Sequence, residues 1–78
     1  MVTAYIFVKA TSGEADRIRD AIAAVDGVVD AHVVAGDVDF IAKVRVDTPA
    51  DVKGVVADRI QSIDGVETTE TYIAMDDD

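Results

Sequence analysis

The chain has 78 residues, no cysteine and one histidine, which excludes disulfides, thiolate metal centres and a zinc site built by one copy alone. A domain this small buries only about 60% of the surface its unfolded chain exposes, so oligomerisation is expected to help. Sixteen acidic residues against seven basic ones give a formal net charge of -9, which repels polyanions, and no direct nucleic-acid binding is expected. No apolar run approaches the roughly 20 residues that span a bilayer, and the N-terminus lacks the pattern of a secretory signal. The expectation is a cytoplasmic protein with no membrane partner.

VTAYIFVK (2–9) alternates in the manner of a strand, with Val2, Ala4, Ile6 and Val8 on one face and Thr3, Tyr5, Phe7 and Lys9 on the other. TSGEADRIRDAIAAV (11–25) changes to helical spacing, with Ala15, Ile18, Ala21, Ile22 and Val25 on one side. Thr11 or Ser12 is the expected cap, and Glu14 and Asp16 suit the positive helix start. The helix stops at Asp26-Gly27. VVDAHVVA (28–35) and VDFIAKVRV (38–46) read as two strands joined by a tight Gly36-Asp37 hairpin. A second helix follows, capped by Thr48 with Pro49 in the first turn and an apolar stripe of Val52, Val55, Val56, Ile60 and Ile63. Gly54 inside it is expected to allow close packing against a neighbour. Asp64-Gly65-Val66 then leads into a last strand, ETTETYIAM (67–75), so residues 1–75 make the domain and 76–78 an acidic tail.

The two halves match at a shift of 38 residues: Ile18 falls on Val56, Ile22 on Ile60, and Val25-Asp26-Gly27-Val28 on Ile63-Asp64-Gly65-Val66. A β-α-β unit used twice gives the α+β, ferredoxin-like βαββαβ plan, a four-stranded antiparallel sheet with two helices on one face. Ala4, Ile6, Val8, Ala42, Val44 and Val46 are expected under the helices. The other face carries Tyr5, Phe7 and Ile41, and the simplest cover for it is a second copy, making a dimer through the sheet. Half-exposed strand residues are the plainer alternative.

The acids are mostly aspartate, 13 against three glutamates, lysine is confined to Lys9, Lys43 and Lys53, and leucine is absent. That pattern resembles a halophilic protein, in which molar salt shrinks the Debye length to about 3 Å and screens self-repulsion. An ordinary acidic protein is the alternative.

Candidate chemistry is sparse. The loop after the first strand, Ala10-Thr11-Ser12-Gly13, has neither the cysteine pair of a soft-metal carrier nor the arginine of a phosphate cradle. His32 has no serine or cysteine nucleophile motif beside it, so no catalytic residue, metal site or cofactor is assigned, and an α+β-barrel enzyme lacks an acid/base set. Asp37 and Asp39 are too few for a hard-metal site. The remaining use is recognition: an aspartate beside a glycine turn can hold an ammonium group while backbone N–H groups take a carboxylate. Thr69 and Thr71 can add hydroxyls, or serve only as good strand formers.

Gly36-Asp37-Val38-Asp39, Lys43-Val44, Gly65-Val66 and Thr69-Glu70-Thr71-Tyr72, in this order and spacing, resemble the ligand-binding (RAM) domain of Lrp/AsnC transcription regulators. The resemblance covers essentially the whole chain and is to a stand-alone form without a helix-turn-helix domain. It implies a small amino acid or related metabolite as effector, bound where dimers meet in a higher oligomer such as an octamer. It further implies that Asp39 takes the ligand amino group with help from Thr69 and Thr71, while Gly36, Asp37 and Val38 make loop contacts. Val38 stands where the family often has an aromatic residue. The expected function is a non-enzymatic sensing and oligomerisation module in transcriptional regulation, assembling with itself or with full-length Lrp/AsnC-type regulators. The alternative is an ACT-like regulatory subunit of a transporter or metabolic enzyme.

Overall fold

Strand β1 spans Val2–Ala10 and buries alternate residues, Ala4, Ile6 and Val8, without exposure, in the computed structural model, which describes residues 1–11 and 13–76 and leaves aside the Val55 side chain. Helix α1 is Ala15–Ala23, β2 is Val28–Val33, β3 is Phe40–Val46 and β4 is Val66–Ile73. The second helix, α2, runs through residues 49–61: α-helical at Pro49–Asp51, π-helical at Val52–Ala57 and α-helical again at Asp58–Gln61. The sheet order is β2-β3-β1-β4 and every pair is antiparallel. This is the ferredoxin-like α+β fold expected from the repeated unit.

One apolar layer joins the sheet to both helices. Ile18 and Ile22 of α1 and Val52, Val56 and Ile60 of α2 are buried with Ala4, Ile6, Val8, Phe40, Ala42 and Val44. Burying each large side chain contributes about 1.5–3 kcal/mol. Glycine is required at the two Asp-Gly-Val turns, where Gly27 has φ +100° and Gly65 φ +103°. A Cβ on Gly27 would lie 3.0 Å from Val56 Cγ2, and one on Gly65 would lie 3.0 Å from Ile18 Cδ1. Each helix thus ends in a turn that seats the repeat-equivalent residue of the other. Arg17 reinforces one seat: its Nη2 donates to the Asp64 carbonyl (3.0 Å) and its Nε to Glu14 Oε1 (2.8 Å).

The structure corrects several local expectations. Thr11 does not cap α1; Glu14 occupies the N-cap without a side-chain bond, and Thr11 donates through both N and Oγ1 to the Gly65 carbonyl. Ser12 lies outside the described residues, as do Asp77 and Asp78 of the tail. The Thr48 cap is present, accepting from Asp51 N at 3.3 Å. Gly54 is exposed, and an added Cβ would meet nothing within 4 Å, so it serves no close approach. Around it three valines and a glycine are weak helix formers, and the turn widens. Ala57, absent from the expected stripe, is buried at the end of this widened stretch.

The tight Gly36-Asp37 hairpin is also not formed. β2 stops at Val33 and β3 starts at Phe40, and Gly36 is not among the positive-φ glycines. The cause is Asp39: its carbonyl accepts from Val34 N, but its own N–H turns to the Val8 carbonyl (both 2.9 Å), drawing the loop toward β1.

Candidate functional site

Asp39 closes the loop at the end of the sheet. Its Oδ2 accepts a 2.9 Å hydrogen bond from Ala10 N, where β1 gives way to the segment leading into α1. The half-buried carboxylate lines a pocket of about 210 Å³ with Ala10, Thr11, Gly13, Ala15, Val34 and Phe40. One oxygen is held by the backbone, which fixes the direction of the other, and among the described residues no other donor reaches this carboxylate. Asp39 falls inside the expected strand 38–46, but β3 starts only at Phe40, and the Asp39 carboxylate lines this end pocket.

Asp37 and Val38 line a different groove, on the open face, with Phe7, Lys9, Thr68, Thr69 and Glu70, which brings these two loop residues together with one of the expected threonines. Lys9 brings a cation beside two acids there, a pairing the sequence reading missed because the adjacency exists only across strands. Gly36 is exposed and lines neither cavity.

Thr69 and Thr71 sit at the far edge of the sheet. They pair with Val8 and Ile6, whose side chains face the helices, so both hydroxyls belong to the helix side of β4. There they border a groove with Lys53, Asp58, Gln61 and Ile73, and Thr69 Oγ1 accepts from Gln61 Nε2 at 2.8 Å. Gln61 had no sequence signal. Thr69 also borders the open-face groove of Asp37 and Val38, whereas Asp39 lines the end pocket, so Asp39 and the two threonines line different cavities of one protomer.

The open face holds the expected Tyr5, Phe7 and Ile41, and the structure adds Tyr72, whose ring lies 5.2 Å from that of Phe7. Strand register also places Lys9, Lys43 and Arg45 on this face against Asp30 and Glu70. The rest of the surface carries most of the acids. Among the described residues no group of three or more potential ligands is placed to hold a metal ion, and no helix is long and apolar enough to cross a membrane.

A family model described as the Lrp/AsnC ligand binding domain matches residues 3–77. An uncharacterized HTH-type transcriptional regulator of Pyrococcus abyssi is 34% identical over 77 residues, covering 95% of this chain and 51% of that protein. The leucine-responsive regulatory protein of Haemophilus influenzae is 32% identical over 62 residues, covering 80% of this chain and 37% of that protein. The chain therefore spans about half or less of the curated relatives it matches. A crystal structure of a Thermus thermophilus protein superposes with a TM-score of 0.90 at 31% identity, covering 99% of this chain and 96% of that one.

Proposed function

Because the chain belongs to the Lrp/AsnC family through its ligand-binding domain, we propose that it is a non-enzymatic effector-sensing and oligomerisation module, which binds a small amino acid or related metabolite. It influences transcription by assembling with itself or with full-length Lrp/AsnC-type regulators. The observation that carries this reading is the Asp39 carboxylate, anchored by Ala10 N in a pocket of about 210 Å³. That volume is below the roughly 300–1,000 Å³ of pockets for drug-sized ligands and suits a small metabolite. An ammonium group on a fixed carboxylate contributes about 1.5–3 kcal/mol. The Haemophilus relative, leucine-responsive by name, supports an amino acid as the ligand class.

The separation of Asp39 from Thr69 and Thr71 favours a site completed between copies, with the loop of residues 36–39 from one and the threonine edge from another. Packing through Tyr5, Phe7 and Ile41, at the usual sheet spacing of about 10 Å, supplies the dimer. The near balance of charge on that face, in a chain of net charge -9, supports like-chain contact there. Calorimetric titration of amino acids in high salt tests the sensing role. Wild type is expected to bind at least one, and Asp39→Ala to bind it at least tenfold more weakly. Equal binding by both would overturn the assigned site, and no binding by wild type would overturn sensing itself.

A further inference from the structure

We propose that Thr11 is a second ligand-binding residue of the Asp39 pocket, where its hydroxyl oxygen accepts from the same primary ammonium group that Asp39 holds. The proposal rests on the sensing reading above and narrows its ligand to primary amines, against N-alkylated ones.

Thr11 takes no part in capping α1, and its hydrogen bonds show what it does instead. Its N and its Oγ1 both donate to one acceptor, the Gly65 carbonyl, at 2.9 Å and 3.2 Å. A carbonyl cannot donate, so the single hydroxyl proton is committed to that bond and Oγ1 keeps only lone pairs to offer. Sharing the acceptor with its own backbone N–H also fixes the direction of the side chain. Thr11 Oγ1 is therefore a fixed acceptor, and Thr11 lines the same pocket as Asp39.

The preceding residue supplies the matching constraint. Ala10 N donates to Asp39 Oδ2 at 2.9 Å, toward the β3 side, while Thr11 N donates toward the β4 side. Successive N–H groups of an extended chain point to opposite sides, so these bonds carry β1 past its end at Ala10 and hold Ala10 and Thr11 as one wall. The same turn is gripped again from α1, where Arg17 Nη2 donates to the Asp64 carbonyl at 3.0 Å. A carboxylate with one oxygen engaged and a hydroxyl with its proton engaged both call for a donor. A primary ammonium carries three N–H groups, enough to serve both and keep one for water or for a second copy. An N-methyl ammonium has one fewer and brings a methyl group into the seat. Val33, Val34 and Phe40, which also line the pocket, suit an aliphatic body on the ligand.

The test is calorimetry in molar KCl with each standard L-amino acid in turn, followed by the N-methyl form of each one that binds. Thr11→Val removes the hydroxyl but keeps the backbone bond to Gly65, so the variant retains its fold. It is expected to bind the amino acid about tenfold more weakly than wild type, the loss of one hydrogen bond to a charged donor. Thr11→Ser keeps the hydroxyl and is expected to bind within about twofold of wild type. Wild type is expected to prefer the amino acid over its N-methyl form by about tenfold, and Thr11→Val by less than about threefold. A hydroxyl that only braced the wall would weaken both ligands alike and leave that preference unchanged. Wild-type affinity in Thr11→Val, an unchanged N-methyl preference in Thr11→Val, a wild type that binds both forms alike, or no rescue by Thr11→Ser would each overturn the proposal. In those cases loss of binding in Asp39→Ala would leave the sensing reading standing, whereas a wild type that binds no amino acid would overturn both.

Discussion

The two halves of the chain are built alike and used differently. Val25-Asp26-Gly27-Val28 and Ile63-Asp64-Gly65-Val66 make the same turn with the same bonds, Val28 N to the Val25 carbonyl and Val66 N to the Ile63 carbonyl, each 3.1 Å. Ile18 and Ile22 occupy the buried places that Val56 and Ile60 occupy in the other half. The differences lie at the rims. The first half ends in the loop that aims Asp39 into a pocket and in an edge strand with exposed valines. The second carries the hydroxyls of Thr69 and Thr71 beside Gln61 on its outer strand. What repeats is the part that packs, and what departs from the repeat is the part available to ligands and partners.

That contrast can be broken by substitution. If the repeated positions are equivalent supports, Ile22→Ala and Ile60→Ala should each cost about 2–5 kcal/mol in denaturant unfolding in molar KCl, with similar losses in both halves. A clear inequality would show that one half carries the core. Gly27→Ala and Gly65→Ala should each cost about 2–3 kcal/mol, since both force a side chain into positive φ and against the opposite helix. Asp39→Asn should cost about 1–2 kcal/mol, measured the same way, by weakening the bond from Ala10 N, and should weaken amino-acid binding more than it weakens the fold. Thr69→Val, on the non-repeating rim, should change stability by less than about 1 kcal/mol, yet reduce ligand affinity severalfold in calorimetry. A Thr69→Val variant that binds as wild type would confine the threonine to its bond with Gln61. Melting temperature should rise from dilute buffer to molar KCl in every variant, because all of them stay strongly acidic, near the wild-type charge of -9; a flat profile would leave an ordinary acidic protein.

Most of the fold was legible because it is local and repeated. Strand alternation in VTAYIFVK, the helical stripes and the two Asp-Gly-Val turns each follow from spacing within a few residues, and the 38-residue repeat ties them into one plan. The misread places are those where a distant strand overrode the local preference. Gly36-Asp37 has the composition of a tight turn, but Asp39 bonds to β1 through both its N–H and its carboxylate and opens the loop. Thr11 is a good cap in isolation, yet it turns to the Gly65 carbonyl. Ala57 lies in the core where the helix widens around Gly54.

The sequence by itself determined the class of the fold, its family, the buried face of each element and the identity of the acid at the end of the sheet, because periodicity and short motifs are properties of neighbouring residues. Which groups meet was decided only by the tertiary structure. Strand order alone placed Lys9 beside Asp37, Tyr72 against Phe7 and Gln61 on Thr69, and set Asp39 and the two threonines in different cavities of the protomer. Antiparallel register joins residues tens of positions apart, and no local pattern records that pairing.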